Sequence, residues 1–335
     1  MDMRYYARLY VAAFGLIVIV CMLAFSLQVH REKSAIYCIE SRGGHVDTAS
    51  YIPAWGRRIV GGWLSDSVAY ATAIVVTDRG FDDFDARCLV HCNNLEVLTL
   101  AETSISDSGL ASLRHLQGIR WMYLSGTGVT DAGIAEICQM SGLECLDLSE
   151  TRVTDAGLPL LRQLPSLRVL DLSGTSIGDD GLSVIASCGS IRELTLDGTS
   201  VSTLGLAHLP PECQLEALRL CQTRISTGCG TSVSRVTGLK YLELADTQIG
   251  DADLKSIACM PNLVWLDVSG CNVSADGVAA VMRAPSLEWL VLRRVGIDSK
   301  AIDGLCREYR GVNVILEESA NMNAATKDVL SECDK

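Results

Sequence analysis

From Ala71 to Arg310 the chain repeats every 24 residues, ten times, with no insertion or deletion. Residues 143–166 (LECLDLSETRVTDAGLPLLRQLPS) and 167–190 (LRVLDLSGTSIGDDGLSVIASCGS) show the unit most clearly. A unit this short exposes an apolar face that only the next unit can cover, so a fixed period predicts a stacked solenoid. Composition agrees. Hydrophobic residues make up 48% of the chain, yet only four are Phe, as suits a thin stack of Leu, Ile and Val rungs.

With the first Leu of a unit as position zero, positions three and five alternate inward on a short strand, as in Leu146 and Leu148 or Leu170 and Leu172. Position eight is Thr in seven consecutive units, Thr103, Thr127, Thr151, Thr175, Thr199, Thr223 and Thr247, and then Cys271. A hydroxyl there can satisfy the backbone of the turns above and below. Position twelve is Asp at 107, 131, 155, 179 and 251. An Asp before an apolar run reads as a helix N-cap.

The consensus L-x-x-L-x-L-x-x-T-x-I-x-D-x-G-L-x-x-L-x-x-L-x-x resembles the leucine-rich repeat family over about three quarters of the length. The resemblance implies an α/β fold, a right-handed leucine-rich repeat solenoid. It would carry a parallel β-sheet on the concave wall and short helices on the convex wall, preceded by a single transmembrane helix. The expected division is an anchor at 1–29, a juxtamembrane helix and N-terminal cap at 30–70, the solenoid at 71–317 and a C-terminal cap or tail at 318–335.

The anchor rests on Leu9–Val29, 21 residues without a charge, which as a helix would span about 32 Å, close to the hydrocarbon thickness. Tyr5, Tyr6 and Tyr10 sit where an interfacial belt would lie. A cleaved signal peptide, with Ala24 and Ser26 as the small-residue pair of its cleavage site, is the alternative. The anchor makes the chain a bacterial single-pass membrane protein. Flanking positive charges nearly balance and leave the orientation open. The short N-terminal tail favours an extracytoplasmic repeat domain, and the abundant unpaired cysteines favour a reducing compartment. Beyond the anchor, Ala35, Ile36 and Ile39 have helical spacing, Gly43-Gly44 ends that helix, and 45–64 with Trp55 and Trp63 reads as the cap. These features resemble bacterial membrane-anchored leucine-rich repeat proteins.

A net charge of −12 without a Lys/Arg cluster excludes nucleic acid as partner. The fourteen cysteines form no C-x-x-C, and Cys88 and Cys92 around His91 have nothing paired opposite, so no metal site is expected. Gly174–Gly178 matches G-x-S-x-G by letter but lies in the repeat's turn. No catalytic residue, cofactor or small-molecule substrate is expected, and the chain reads as no enzyme.

Function in a solenoid lies on the face not used for stacking, here positions two, four and six of the concave sheet. They place Trp121 and Tyr123 near one end, then Asp147, Asp171, Glu193 and Asp197, then Tyr241, Trp265 and Trp289 on successive rungs beside Glu243 and Asp267. Exposed aromatics with charged neighbours mark protein interfaces. The expectation is a protein or peptide partner, favoured if it offers basic segments. Two rivals stay open. One is a substrate-recruiting subunit of a ubiquitin ligase, since the repeats also resemble those of F-box receptors, though residues 30–70 lack an F-box. The other is a purely structural envelope component.

Overall fold

The computed structural model describes residues 3–50 and 69–316, with the side chains of 3–19, 22, 50 and 69 left aside. Residues 51–68, holding Trp55 and Trp63 of the expected cap, and the expected tail at 318–335 lie outside the described residues.

One sheet runs the length of the molecule. Its strands are β1 (His45–Ser50), β2 (Ala69–Val75), β3 (Val97–Thr99), β4 (Trp121–Tyr123), β5 (Cys145–Asp147), β6 (Val169–Asp171), β7 (Glu193–Thr195), β8 (Ala217–Arg219), β9 (Tyr241–Glu243), β10 (Trp265–Asp267), β11 (Trp289–Val291) and β12 (Asn313–Ile315). They lie side by side in chain order. β1 and β2 pair antiparallel, and from β2 onward every neighbour is parallel and in register, Leu146 opposite Leu170 and Leu170 opposite Leu194. The even period produces this, since equal units put identical positions beside one another. Leu146, Leu170, Leu194 and Leu242 are all fully buried, as are the second-rung leucines from Leu100 to Leu244. Short helices such as Asp107–Leu113 and Asp131–Ile137 return the chain along the other wall. In the unit with Pro159 the return is a 3-10 turn, Leu158–Gln163, because proline lacks the amide that an α-helix would use.

The aspartate column does something other than cap its own helix. Asp107, Asp131, Asp179 and Asp251 are the first helical residues, and the preceding residue is the cap, as Ser106 and Thr130 show by accepting from the Ser108 and Ala132 amides. Each aspartate instead reaches the next coil. Thr130 donates its amide and hydroxyl to Asp107 at 2.9 and 2.7 Å. Thr154 does the same to Asp131 at 2.8 and 2.7 Å, and Ser202 to Asp179 at 2.7 Å for both. Gly178, with no hydroxyl, gives Asp155 its amide alone. The Gly of D-x-G completes the fit, because a Cβ at Gly157 would lie 2.6 Å from Asp131 Oδ1 of the coil before. The two conserved-looking letters of the unit are thus one contact split across two coils.

The threonine column also acts within its own coil. Thr103, Thr127 and Thr247 donate to the carbonyls of Leu100, Leu124 and Leu244 at 2.6–2.7 Å, whereas the Cys271 thiol reaches back to Leu244 O of the preceding coil at 3.1 Å.

The front of the chain is a 39-residue helix, α1 (Met3–Ser41). Gly43, at φ +77°, lets the chain leave it. The structure corrects the expected transmembrane anchor at 1–29. Among the described residues no helix is long and apolar enough to cross a membrane, so the placement as a single-pass membrane protein falls with it. The end of the expected span is occupied by the protein itself. Val29 is buried, and Gln28 donates to His91 O of the first coil at 2.8 Å. Beyond it Ala35 and Ile39 are buried, and buried Glu32 accepts from the Ala71 amide at 3.0 Å. Arg42 pairs with Asp85 at 3.0 Å. The second half of α1 is therefore a lid on the open end of the stack.

The inter-coil contact is testable by a double-mutant cycle. Asp131→Ala should cost about 2 kcal/mol in urea unfolding, as loss of bonds to a charged acceptor does. Gly157→Ala should be destabilising in the native background and much less so beside Asp131→Ala, with a coupling of at least ~0.5 kcal/mol. Additive effects would show that the carboxylate does not fill the space of the missing Cβ.

Candidate functional site

The concave strip is built by register alone. Position four of each unit stacks Asp147 on Asp171, and Glu243 on Asp267, so like charges stand one rung apart. Their side chains are pinned. Asp147 Oδ1 accepts from the amide and hydroxyl of Ser149 at 2.8 and 2.6 Å, and Asp171 Oδ1 from Ser173 at the same distances. Asp267 Oδ1 takes the Ser269 amide at 2.8 Å, and Asp197 Oδ1 the Cys221 amide at 2.7 Å.

Arg219, unremarked as a site residue in the sequence, lies in the middle of the strip. Its Nε is 3.5 Å from Asp197 and 3.3 Å from Glu243. That nitrogen is buried and makes no properly directed hydrogen bond, so the pairing is one of charge without alignment. Arg293 is the other cation of the strip. Arg219 interacts with Asp171, Asp197 and Glu243, and both arginines act on Asp267; Asp147 and Glu193 stand in the same strip.

Burial moves three of the carboxyls up. Asp171 is raised by burial first and by its neighbours Asp147 and Asp197, against the Ser173 bonds. Glu243 is raised by burial, with Arg219 opposing and Asp267 and Asp197 adding. Asp267 is raised by burial against Ser269, Arg293 and Arg219. Two convex aspartates go the opposite way. The bonds from Ser274 hold Asp251 below the usual range, and at Asp83 hydrogen bonds from Ser106, Ser108 and Gly109 outweigh burial.

The aromatic residues differ from the sequence expectation. Trp265 is not part of an exposed ladder. It is 5% exposed, with its ring 6.0 Å from that of Trp289 and tilted 31°, and its buried indole nitrogen has no hydrogen-bond partner. Tyr241 and Trp289, on the neighbouring rungs, remain half-buried, as do Trp121 and Tyr123. Trp121 is also covered, by the Arg120 guanidinium 4.6 Å from its ring centre. Neighbouring rungs close over a large ring in the middle of the stack, which a residue-by-residue count of outward positions does not see.

Position one was missed altogether. It is charged in seven consecutive units, Glu96, Arg120, Glu144, Arg168, Arg192, Glu216 and Lys240, and it forms the rim of the sheet. Arg120 binds Glu144 at 2.7 Å and Lys240 binds Glu216 at 2.6 Å. Arg168 and Arg192 line a shallow depression of about 230 Å³ with Trp121, Val169 and Glu193. The unbroken run of charge in one column was the available signal. Among the described residues no group of three His, Cys, Asp or Glu is placed to hold a metal.

Two stability measurements follow. Trp265→Ala should cost about 3–5 kcal/mol, as buried aromatic truncations do, whereas Trp265→Phe, which keeps most of the ring and removes the unpaired N–H, should cost far less. Equal losses would place the indole nitrogen in a bond. Asp171 has a folded pKa above its unfolded value, so its charged form works against folding at neutral pH. Asp171→Asn, which keeps an acceptor for Ser173, should raise the urea midpoint at pH 7. The gain should fade as pH drops towards ~3.9, where the unfolded carboxyl also protonates.

No curated protein matches the chain in sequence. Among solved structures it is similar to an internalin, inlF, of Listeria monocytogenes str. 4b F2365. The TM-score is 0.53 at 18% identity, over 80% of this chain and 89% of that one. An internalin C2 of the same strain gives a TM-score of 0.46 at 24% identity, over 62% of this chain and 81% of that one. Residues 163–186, 238–258 and 259–282 match the family model described as Leucine Rich repeat. These matches fall on coils whose buried rungs and parallel register are those of the whole array, so the chain carries leucine-rich repeats in a fold similar to that of the internalin.

Proposed function

We propose that the chain is a binding protein, not an enzyme, and that it takes a protein or peptide partner on the concave sheet through cationic side chains. Solenoids of this kind use their concave surface for binding. One observation carries the reading. Six carboxylates stand on one strip against the two guanidiniums of Arg219 and Arg293; burial disfavours the charged form at Asp171, Glu243 and Asp267, and like-charged neighbours add to it at Asp171 and Glu243. A cationic ligand would relieve that repulsion, which gives specificity and a fast, salt-sensitive encounter. The half-buried rings of Tyr241 and Trp289 add faces for a guanidinium or an apolar side chain. The expected role of Trp265 is revised accordingly, from a contact to a support that holds Trp289 in place. Recruitment to a ubiquitin ligase and a purely structural role have no observation of their own in their favour.

The test uses a peptide of alternating Arg and Leu and its Glu–Leu counterpart. The Arg peptide should bind and the Glu peptide should not, with affinity falling as salt rises. The triple substitution Asp147→Asn, Asp171→Asn, Asp267→Asn should weaken binding at least about tenfold, the scale of ~1.4 kcal/mol. A charge-matched control on exposed convex positions, Asp180→Asn, Asp276→Asn and Glu308→Gln, should leave it unchanged. Affinity should also fall as acid protonates the three raised carboxyls. Equal weakening by both triples would reduce the effect to net charge and defeat the concave assignment.

A further inference from the structure

Most cysteines of the array serve packing. Cys138 and Cys271 are buried and give their thiols to backbone carbonyls at 3.2 and 3.1 Å, and burial pushes Cys92 up to about 12. One pair behaves differently. Cys38, near the end of α1, and Cys88, in the 3-10 turn Arg87–His91 of the first coil, have their sulfurs 3.1 Å apart. Both are half-buried, and neither is in the fully closed core.

The surroundings hold these sulfurs together. α1 is fastened to the first coil on either side of Cys38, by Gln28 to His91 O at 2.8 Å and by Arg42 to Asp85 at 3.0 Å. Between them Glu32 accepts from the Ala71 amide. A disulfide needs sulfurs about 2.05 Å apart, so about 1 Å of approach remains. Two reacting groups fixed in contact react as if at very high concentration. Reagent can arrive, because a depression of about 290 Å³ lined by Arg31, Ser34, Phe84, Arg87 and Cys88 itself lies beside the pair.

We propose that Cys38 and Cys88 form an oxidisable pair, closed to an intramolecular disulfide by exchange with a low-molecular-weight disulfide, that locks α1 onto the first coil. The Cys38 thiolate attacks the small disulfide, making a mixed disulfide and releasing one small thiol. The Cys88 sulfur then attacks Cys38 Sγ, and the second small thiol leaves with the proton. Two protein S–H bonds and one reagent S–S bond become one protein S–S bond and two reagent thiols, with two electrons passing to the reagent. Burial, the hydrogen bond to Cys38 and the charge of Asp85 hold the Cys88 thiol up at about 11. Cys88 is therefore mostly protonated at neutral pH, and closure should quicken as pH rises. The lock matters because α1 packs on the first coil, which among the described residues has only α1 and the single strand β1 on that side.

The experiment treats the full chain with oxidised glutathione, blocks the remaining thiols and maps peptides without reduction. A single intramolecular linkage, Cys38 to Cys88, should form, with the linked peptides together lighter by two hydrogens. Amide exchange over residues 28–41 should then slow at least about tenfold, because local opening now has to move the first coil as well. Cys88→Ser should leave a mixed disulfide on Cys38, which keeps the test informative if Cys38→Ser fails to fold, and Cys92→Ser should still close the bond. Folded protein in which Cys88 stays free or links to another cysteine would overturn the assignment, as would closure that leaves exchange in α1 unchanged.

Discussion

The contact on which the stack depends is a carboxylate shared between coils. An aspartate at the start of one convex helix accepts the amide and hydroxyl of the cap residue in the next coil, as Asp107 does from Thr130 and Asp131 from Thr154. It fits because the residue two places beyond the next aspartate is glycine. An inserted residue would move the cap away from its carboxylate and the glycine away from its neighbour together. That explains why the period holds at 24 without slippage, where apolar rungs alone would tolerate more. The rungs supply the burial, and the aspartate sets the spacing.

The same regularity makes the binding face. Units in register put each outward position in a straight column, so a charge that recurs in the unit meets its own kind on the next rung. On the convex wall the aspartate carboxylates are bonded by serine and threonine, and Asp251 is held low. On the concave wall Asp171 and Asp267 are also bonded by serine, yet burial pushes both up, and at Asp171 its neighbours Asp147 and Asp197 push further. One residue type thus serves two purposes, set by its neighbours. The convex charges are satisfied within the fold, and the concave ones are left in excess over Arg219 and Arg293.

The period, the inward leucines and the outward columns were legible in the sequence, because each follows from spacing alone. What was not legible depends on the adjacent coil. Asp131 looks like a local cap until Thr154 is placed beside it. Trp265 looks exposed until Trp289 is stacked 6.0 Å away. The uncharged run Leu9–Val29 was read against lipid, but run length does not reveal that its last residue, Val29, is buried by the protein. The Cys38–Cys88 pair joins residues 50 apart, which no local pattern brings together. The charged rim at position one could have been read, since seven consecutive units carry it.

The central claim is that the carboxylates of the concave strip, and not the acidity of the chain as a whole, form the binding surface. Carboxyl footprinting tests it most directly. The protein is labelled alone and when saturated with the Arg–Leu peptide, and modification is read residue by residue. Protection at Asp147, Asp171, Glu193 and Asp267, with Asp180 and Asp276 labelled as before, is the outcome this account predicts. Protection spread evenly over both walls, or confined to the convex one, would contradict it.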